Sequence, residues 1–192
     1  MAITLGLTGS IGTGKSTTCQ LFEEHGAMIW SADAAVHRLY APGGKAVLEI
    51  AKIAPAAIVE DHVSRPLLAR ELRADKTLLP KLEALVHPLV AEDRAEAIKV
   101  AAAWILVLEI PLLFEKKLDQ DLDVTACTWV DAETQKTRVL ERPGMTKEHF
   151  EFILKHHWPQ DKKRAAANYE INTTSPQTAR DDIERIVEAI KP

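Results

Sequence analysis

A segment near the start of the chain has the spacing of a phosphate-binding loop. Residues Gly9 to Ser16 fit the pattern G-x-x-x-x-G-K-[ST], with Lys15 in the lysine position. Glycine lets the backbone curl closely around an anion, so that backbone N–H groups can point at its oxygens. Lys15 is then expected to reach the β- and γ-phosphates of a nucleotide, and the Ser16 hydroxyl to coordinate Mg²⁺.

The sequence on both sides of this loop favours a real phosphate site over a chance glycine-rich turn. Residues 3–8 are apolar enough for a buried strand, and residues 17–25 can form a helix. A phosphate loop needs the order strand, loop, helix, because the loop amides and the helix N-terminus must converge on the anion. The sequence therefore predicts nucleotide binding and leaves the acceptor of the phosphate open.

Two carboxylates follow other predicted strands. Asp33 comes after a strand predicted over residues 27–31. It could accept a proton from a substrate hydroxyl, help to hold a metal, or merely cap a helix beginning at Ala34. Glu109 ends a strand predicted over residues 104–108, where it could face Mg²⁺ directly or through water, or turn to solvent.

Basic residues in the C-terminal third could stabilise phosphate charge. Arg138 and Arg142 share one face of a helix predicted over residues 131–142 with Asp131 as its N-cap, and that face either binds phosphate or is simply solvated. The run 162–164 is expected to be mostly exposed, with a weak indication of a lid over the phosphates. The histidine pair 156–157 has no carboxylate or cysteine at ligand spacing, so a metal site there is rejected.

The remaining pattern alternates strands with helices around a helical middle region. Such alternation predicts an α/β fold with a parallel sheet, whose ligands bind at the carboxyl ends of the strands. The further predicted helices cover residues 34–40, 45–53, 66–73, 77–103, 146–157 with Thr146 as N-cap, and from Pro176 onward with Ser175 as N-cap. The further predicted strands cover residues 124–130 and 169–173.

Composition is that of an ordinary globular protein. Of 192 residues, 46% are hydrophobic and 27% charged, and the net charge of −4 gives no reason to expect a nucleic-acid partner. The longest apolar run, residues 100–114, contains Glu109 and Pro111 and is too short to span a membrane. Two distant cysteines, Cys19 and Cys127, and a start without a signal-peptide pattern favour a reducing cytoplasm. We expect a monomer or a weak homo-oligomer.

Taken together, these motifs resemble the dephospho-CoA kinase family along nearly the whole chain. The P-loop alone occurs in many kinases, whereas the ordered combination of segments is far more specific. The segments that carry the resemblance are Leu7–Thr17, Ala32–His37, Leu82–Val90, Pro111–Glu115, Val130–Asp131 with Gln135 and Arg138, and Arg142 with Thr146.

The resemblance implies transfer of the γ-phosphoryl group of ATP to the ribose 3′-hydroxyl of dephospho-CoA, with Mg²⁺, to give CoA and ADP. It also implies a P-loop nucleoside-triphosphate-hydrolase core with a parallel sheet, an inserted helical substrate domain and a small helical lid. The expected boundaries are residues 1–33, 103–137 and 165–192 for the core, 34–102 for the substrate domain and 138–164 for the lid.

The resemblance also implies site roles, position by position. The catalytic residues would be Asp33 as the base, Lys15 and Arg138. The nucleotide-binding residues would be Gly9, Ile11, Gly12, Thr13, Gly14, Lys15, Ser16, Thr17, Arg142 and Asn172, with adenine near the turn after Asn172. The dephospho-CoA contacts would be Thr8, Asp33, His87 and Leu112, and the metal ligands would be Ser16 and Glu109.

The chain departs from the family pattern at several positions. Ser31 stands where an acid is common, and Glu109 replaces a shorter Asp. His156-His157 stands in place of Arg-Gln in the lid, and Ala166 and Asn168 in place of an Arg and an Asp. These changes leave fewer fixed positive charges near phosphate. We therefore expect weaker ATP affinity or slower turnover than in a typical member, with some dependence on histidine protonation.

Other functions remain as alternatives. One is another small-molecule or nucleotide kinase with a P-loop, and a second is a nucleotide-binding relative with weakened catalysis. A GTP-operated switch is excluded, because its Asn-Lys-x-Asp and Asp-x-x-Gly motifs do not occur in the chain.

Overall fold

The computed structural model of the protein describes residues 2–191, which divide into two compact units. One contains the described residues up to Ile29 and from Ala101 onward, and we call it the sheet unit; the other, Trp30–Val100, is the helical unit. The strands are β1 (Ile3–Gly9), β2 (Met28–Ser31), β3 (Ile58–Val59), β4 (His62–Val63), β5 (Ile105–Glu109), β6 (Val124–Trp129) and β7 (Tyr169–Asn172). The α-helices are α1 (Lys15–Glu24), α2 (Ala32–Tyr40), α3 (Val47–Ile53), α4 (Arg65–Ala74), α5 (Leu78–Val100), α6 (Ala132–Leu140), α7 (Lys147–His156), α8 (Gln160–Ala166) and α9 (Pro176–Ile190).

A five-stranded sheet in the order β2-β5-β1-β6-β7 organises the fold. β1 pairs in parallel with both β5 and β6, and β6 pairs in parallel with β7. The central strands are apolar because both of their faces are covered: Leu7 and Val107 are fully buried, together with Phe22 of α1 and Ile183 of α9. The predicted α/β fold with a parallel sheet is confirmed.

In the sheet unit, three helices begin directly after a polar residue that caps their first turn. The side chains of Asp131 and Thr146 each accept a hydrogen bond from a backbone N–H in the first turn of the helix that follows, and Ser175 forms a capping box. The prediction for the end of α6 is wrong, because the helix stops at Leu140. Arg142 precedes Pro143, which disfavours helical backbone, so Arg138 and Arg142 do not share one helix face.

The helical unit has an apolar core of its own, which includes Leu39, Ile50 and Leu82. Within this unit the carboxylate of Asp93 on α5 accepts a hydrogen bond from the indole of Trp30 at 2.7 Å and pairs with Arg38 on α2 at 2.5 Å. Although α5 has 23 residues, neither it nor another helix within residues 2–191 is both long and apolar enough to cross a membrane.

Three details of the helical unit differ from the prediction. Helix α2 begins at Ala32 with Ser31 as N-cap, so Asp33 lies inside the first turn and does not cap a helix beginning at Ala34. An acid in that position is favoured by the helix dipole. Helix α5 ends at Val100, before residue 103. The hairpin of β3 and β4 was not predicted, because strands of two residues are too short to show alternation.

Candidate functional site

The predicted phosphate loop lies between β1 and α1. β1 ends at Gly9, and α1 begins at Lys15, two residues earlier than predicted. Gly14 is the N-cap, and it has no side chain that could satisfy the amides of the first turn. This arrangement leaves the positive end of the helix dipole available to an anion.

Two glycines of the loop are required by close neighbours. A Cβ on Gly9 would collide with the Thr128 hydroxyl and lie 2.6 Å from the hydroxyl oxygen of Thr13. A Cβ on Gly12 would lie 2.5 Å from Cγ2 of Val139 on α6, and the φ of Gly12 is +79°, which side chains disfavour. The loop is therefore packed tightly against β6 and α6.

The side chain of Thr13 supports the loop from inside. It is fully buried, and its hydroxyl lies 2.8 Å from the carbonyl oxygen of Ser10 and 2.8 Å from the hydroxyl of Thr128. The Thr128 hydroxyl also donates to the carbonyl of Thr8 at 3.3 Å. Thr13 was predicted to bind nucleotide, and its hydroxyl is already engaged within the protein.

Two further side chains hold the loop from outside. Gln135 on α6 donates from Nε2 to the carbonyl of Ile11 at 2.8 Å. The Thr173 hydroxyl, just after β7, lies 3.0 Å from the Thr13 carbonyl and 3.1 Å from the Trp129 carbonyl. These contacts fix the loop to elements that are distant in sequence.

The guanidinium of Arg138 lies at the same turn after β7. It donates to the Thr173 carbonyl at 2.8 Å and to the Thr173 hydroxyl at 3.4 Å, and the residue is half-buried. Arg138 therefore does not lie on a simply solvated helix face. Arg142 is exposed in the turn after α6.

Lys15, Ser16 and Thr17 form the first turn of α1. The ammonium of Lys15 donates to the carbonyls of Gly9 at 3.0 Å and Ser10 at 3.1 Å, at the mouth of the loop. Ser16 and Thr17 are exposed. Their hydroxyls are thus accessible beside the loop.

Glu109 is paired in register with Leu7 of β1, two residues before the phosphate loop. It is the last residue of β5 and is half-buried. Burial, followed by the negative charges of Glu109 and Glu23, raises the pKa of Cys19 on α1 to about 12. The field of Glu109 therefore reaches α1 one turn beyond Lys15 and Ser16. A hydroxyl and a carboxylate are hard oxygen donors of the kind that Mg²⁺ prefers.

Thr8 belongs to β1, and Leu112 belongs to the segment that follows β5. The buried Thr8 hydroxyl donates to the carbonyl of Pro111 at 3.1 Å, and Leu112 is half-buried in the next position. Lys163 of α8 also bonds to the Pro111 carbonyl and is completely buried, so the prediction of a mostly exposed basic run is wrong for this residue.

The remaining predicted residues are spread over both units. In the helical unit, Asp33 is exposed in the first turn of α2 and His87 is exposed on α5. In the sheet unit, Asn172 ends β7; its backbone N–H donates to Asp182 at 2.8 Å, and its side-chain oxygen accepts from the backbone of Thr174 at 2.9 Å.

The two histidines of the pair 156–157 have different environments. His156 is exposed, with Nδ1 2.7 Å from the Phe152 carbonyl. His157 is half-buried, and burial together with the charge of Lys163 lowers its pKa below 6.5. A neutral imidazole adds no fixed charge for phosphate, so His157 contributes little positive charge at neutral pH.

Sequence reasoning missed several supports of the site. Thr128, Thr173 and Lys163 act on backbone carbonyls, which leave no side-chain pattern in the sequence. Among the described residues, one carboxylate–histidine group is close enough to hold a metal ion, at Glu60, Asp61 and His62 in the hairpin turn. The group is partly exposed and none of its three residues has a predicted role, so we assign it no metal.

Comparisons with known proteins agree on one family. The sequence model of the dephospho-CoA kinase family matches residues 3–178. The dephospho-CoA kinase of Ruegeria pomeroyi is 47% identical over 191 residues, covering 100% of this chain and 97% of that protein. That of Cereibacter sphaeroides is 46% identical over 187 residues, covering 97% of this chain and 95% of that protein.

Solved structures show the same architecture. The crystal structure of TT1252 from Thermus thermophilus has a TM-score of 0.87 and 30% identity, covering 100% of this chain and 98% of that one. The dephospho-CoA kinase from Campylobacter jejuni has a TM-score of 0.73 at 22% identity, covering 99% and 98%. A shikimate kinase from Bacteroides thetaiotaomicron, at 0.57 and 14% over 99% of both chains, shares the fold alone. The chain therefore belongs to the dephospho-CoA kinase family.

Proposed function

We propose that this protein transfers the γ-phosphoryl group of ATP to the ribose 3′-hydroxyl of dephospho-CoA, giving CoA and ADP. The observation that carries the proposal is the match to the dephospho-CoA kinase family over residues 3–178, in a chain whose phosphate loop is complete from Gly9 to Ser16. Phosphoryl transfer depends on positioning and on stabilising charge, and the loop offers both.

The nucleotide is bound by the loop amides, the first turn of α1 and Lys15. Ser16 and Glu109 would supply oxygen ligands for Mg²⁺, and the bound ion would offset the negative charge of the phosphates. Support comes from the exposure of Ser16 and from the position of Glu109 at the end of β5, in register with Leu7 of β1, two residues before the loop. The base of the nucleotide lies near Asn172 at the end of β7.

In the transfer step the 3′-oxygen of the acceptor bonds to the γ-phosphorus while the bond to the leaving ADP oxygen breaks. Asp33 accepts the proton of the hydroxyl, and its exposure in the first turn of α2 leaves the carboxylate accessible. Arg138 and Arg142 stabilise the charge on the transferring group. Residues 138–164 act as a lid that excludes water.

The contacts with the acceptor, dephospho-CoA, follow from membership of the family. His87 and Leu112 contact it directly, and Thr8 acts through its bond to the Pro111 carbonyl. The buried free thiols of Cys19 and Cys127 fit a reducing cytoplasm, and we propose that the enzyme is monomeric there, or at most a weak homo-oligomer.

The deciding experiment compares acceptors. Purified protein is incubated with ATP, Mg²⁺ and either dephospho-CoA, shikimate or nucleoside monophosphates, and ADP release and product mass are measured. Addition of one phosphate to dephospho-CoA alone supports the proposal. Turnover only with another acceptor would assign the protein to a different small-molecule kinase, and ligand binding without any product would indicate weakened catalysis.

The role of Asp33 has its own test. We expect Asp33→Asn to lower kcat by at least about 100-fold, because the hydroxyl proton loses its acceptor, while the affinity for ATP stays the same. Asp61→Asn, at another exposed carboxylate of the helical unit, is the matched control and should keep full activity. If Asp33→Asn retained turnover within a few-fold, Asp33 would not be the base.

A further inference from the structure

A buried ion pair connects two segments of the sheet unit that the proposed chemistry does not explain. One is the segment Pro111–Glu115, which follows β5. The other is the junction between α7 and α8, residues 157–159, with the first turns of α8. The pair consists of Glu115 and Lys163, whose side chains are 2.9 Å apart.

Lys163 is fully buried and is held by two oxygens. Its ammonium donates to the carbonyl of Pro111 at 2.5 Å and pairs with Glu115 at 2.9 Å. Removing a charged pair from water is unfavourable, and a hydrophobic pair of similar size is often as stable or more stable. Stability alone therefore does not account for this pair, and its geometry points to a positional role.

Glu115 extends the connection to the helix junction. The oxygen that pairs with Lys163 also accepts the backbone N–H of Trp158 at 2.8 Å. Burial opposes ionisation of Glu115, but the hydrogen bonds from Trp158 and Lys163 outweigh it and lower its pKa. The ring of Trp158 stacks on Phe114 with centroids 6.2 Å apart, and Lys162 lies 3.4 Å from the centroid of the same ring.

The Pro111 carbonyl joins this cluster to the phosphate loop. It accepts from Lys163 and also from Thr8, the residue before Gly9. The Pro111 carbonyl, two residues after the end of β5, thus receives a hydrogen bond from β1 and another from α8. The segment that carries Leu112 is fixed on both sides.

We propose that Lys163 and Glu115 are positioning residues for the acceptor in phosphoryl transfer. They hold Leu112 and the start of α8 in one fixed arrangement. The segment that binds the acceptor therefore keeps its position relative to α8, where the proposed lid ends, during turnover. The inference rests on the proposed function. It predicts an effect on the acceptor and not on the nucleotide, because the phosphate loop is braced by other residues, Thr128, Gln135 and Thr173.

The test removes both charges together. In the double variant Lys163→Met, Glu115→Gln, the amide oxygen can still accept from Trp158, and no unpaired charge is left buried. We expect an unchanged far-ultraviolet circular dichroism spectrum and ATP affinity within about twofold of wild type. We also expect kcat/KM for dephospho-CoA to fall by about 10- to 100-fold, the range expected for a misplaced positioning element. Lys116→Met, at an exposed lysine beside Glu115, is the control and should behave as wild type.

The outcomes separate this inference from the proposed function. Equal kcat/KM in the double variant and wild type, or a parallel loss of ATP affinity, overturns the positioning role. If wild type phosphorylates another acceptor and not dephospho-CoA, the proposed function is wrong, and the same comparison on that acceptor still decides the inference. Should the double variant not fold, Glu115→Asp keeps the charge but shortens its reach, and the same acceptor-specific loss is expected.

Discussion

Replacing Gly12 with alanine tests how tightly the phosphate loop is packed against α6. Gly12 has a φ of +79°, and an added Cβ would lie 2.5 Å from Val139 Cγ2 and 3.2 Å from the Gln135 carbonyl oxygen. The substitution therefore introduces two separate costs. One is the left-handed backbone, and the other is a collision with a side chain and a helix backbone.

Each cost can be given a size. An L-residue in the left-handed region costs about 1–2 kcal/mol, and forcing an extra carbon into a packed site costs about 1–3 kcal/mol. The free energy of unfolding should therefore fall by roughly 2–5 kcal/mol, the sum of these terms. At about 2–4 °C per kcal/mol for a chain of this length, the melting temperature should fall by roughly 4–20 °C.

Two further variants separate the terms. Gly144 has a φ of +77° and nothing within 4 Å of an added Cβ, so Gly144→Ala should show the backbone cost alone. Val139→Ala removes the carbon that collides, at a cost of about 2 kcal/mol for the lost methyl groups and their cavity. In the double variant with Gly12→Ala, the steric cost should be relieved, giving a coupling energy of about 1–3 kcal/mol.

The assay is urea unfolding followed by circular dichroism, with ATP affinity measured in parallel by calorimetry. ATP affinity should fall in Gly12→Ala and recover in part when Val139→Ala is added, because the loop regains its shape. Additive free energies in the double variant, within about 0.5 kcal/mol, would refute the packing argument. So would a Gly12→Ala protein no less stable than Gly144→Ala.

Two more predictions concern the supports of the site and its pH response. Thr173→Val removes the hydroxyl that lies 3.0 Å from the Thr13 carbonyl, so urea unfolding should show a loss of about 1–3 kcal/mol together with weaker ATP binding. His157 should titrate below 6.5 in an NMR pH series, because burial and Lys163 disfavour its charged form. Folding favours the neutral form of His157, so the contribution of this residue to the free energy of unfolding is fully present above pH 6.5. It falls as the pH drops below that value, because the unfolded chain takes up the proton first. His157→Phe should flatten this part of the stability profile; an unchanged profile would contradict the assignment.

The sheet was predictable from sequence, while helix α8 was not. β1 and β5 are buried on both faces, so each leaves a continuous apolar run, and polar caps such as Asp131 mark where helices begin. Helix α8 has seven residues, and its one fully buried side chain is Lys163. A periodicity of apolar residues cannot reveal a helix whose buried residue is a lysine. For this reason the sequence predicts that the basic run 162–164 is exposed.

The candidate site also contains residues that the sequence predicts and residues that it does not. The glycines, Lys15 and Ser16 are read directly from the motif, because their chemistry requires those residue types at that spacing. Gln135 and Thr173 are 124 and 160 residues away from the carbonyls that they bond. Their positions depend on where β6 and β7 lie in the sheet, which no local pattern contains.

The bonds to the loop carbonyls explain why these distant side chains matter for phosphate binding. A peptide group is planar and trans, so a carbonyl held in one direction turns the N–H of the next residue in the opposite direction. Apart from the bonds made by Lys15, side chains hold the loop carbonyls of Ser10, Ile11 and Thr13. The N–H groups fixed in this way belong to Ile11, Gly12 and Gly14. Donors fixed before the anion arrives do not have to reorganise during the reaction, which is the main source of electrostatic stabilisation in such sites. The motif supplies the donors, and the surrounding fold sets their direction.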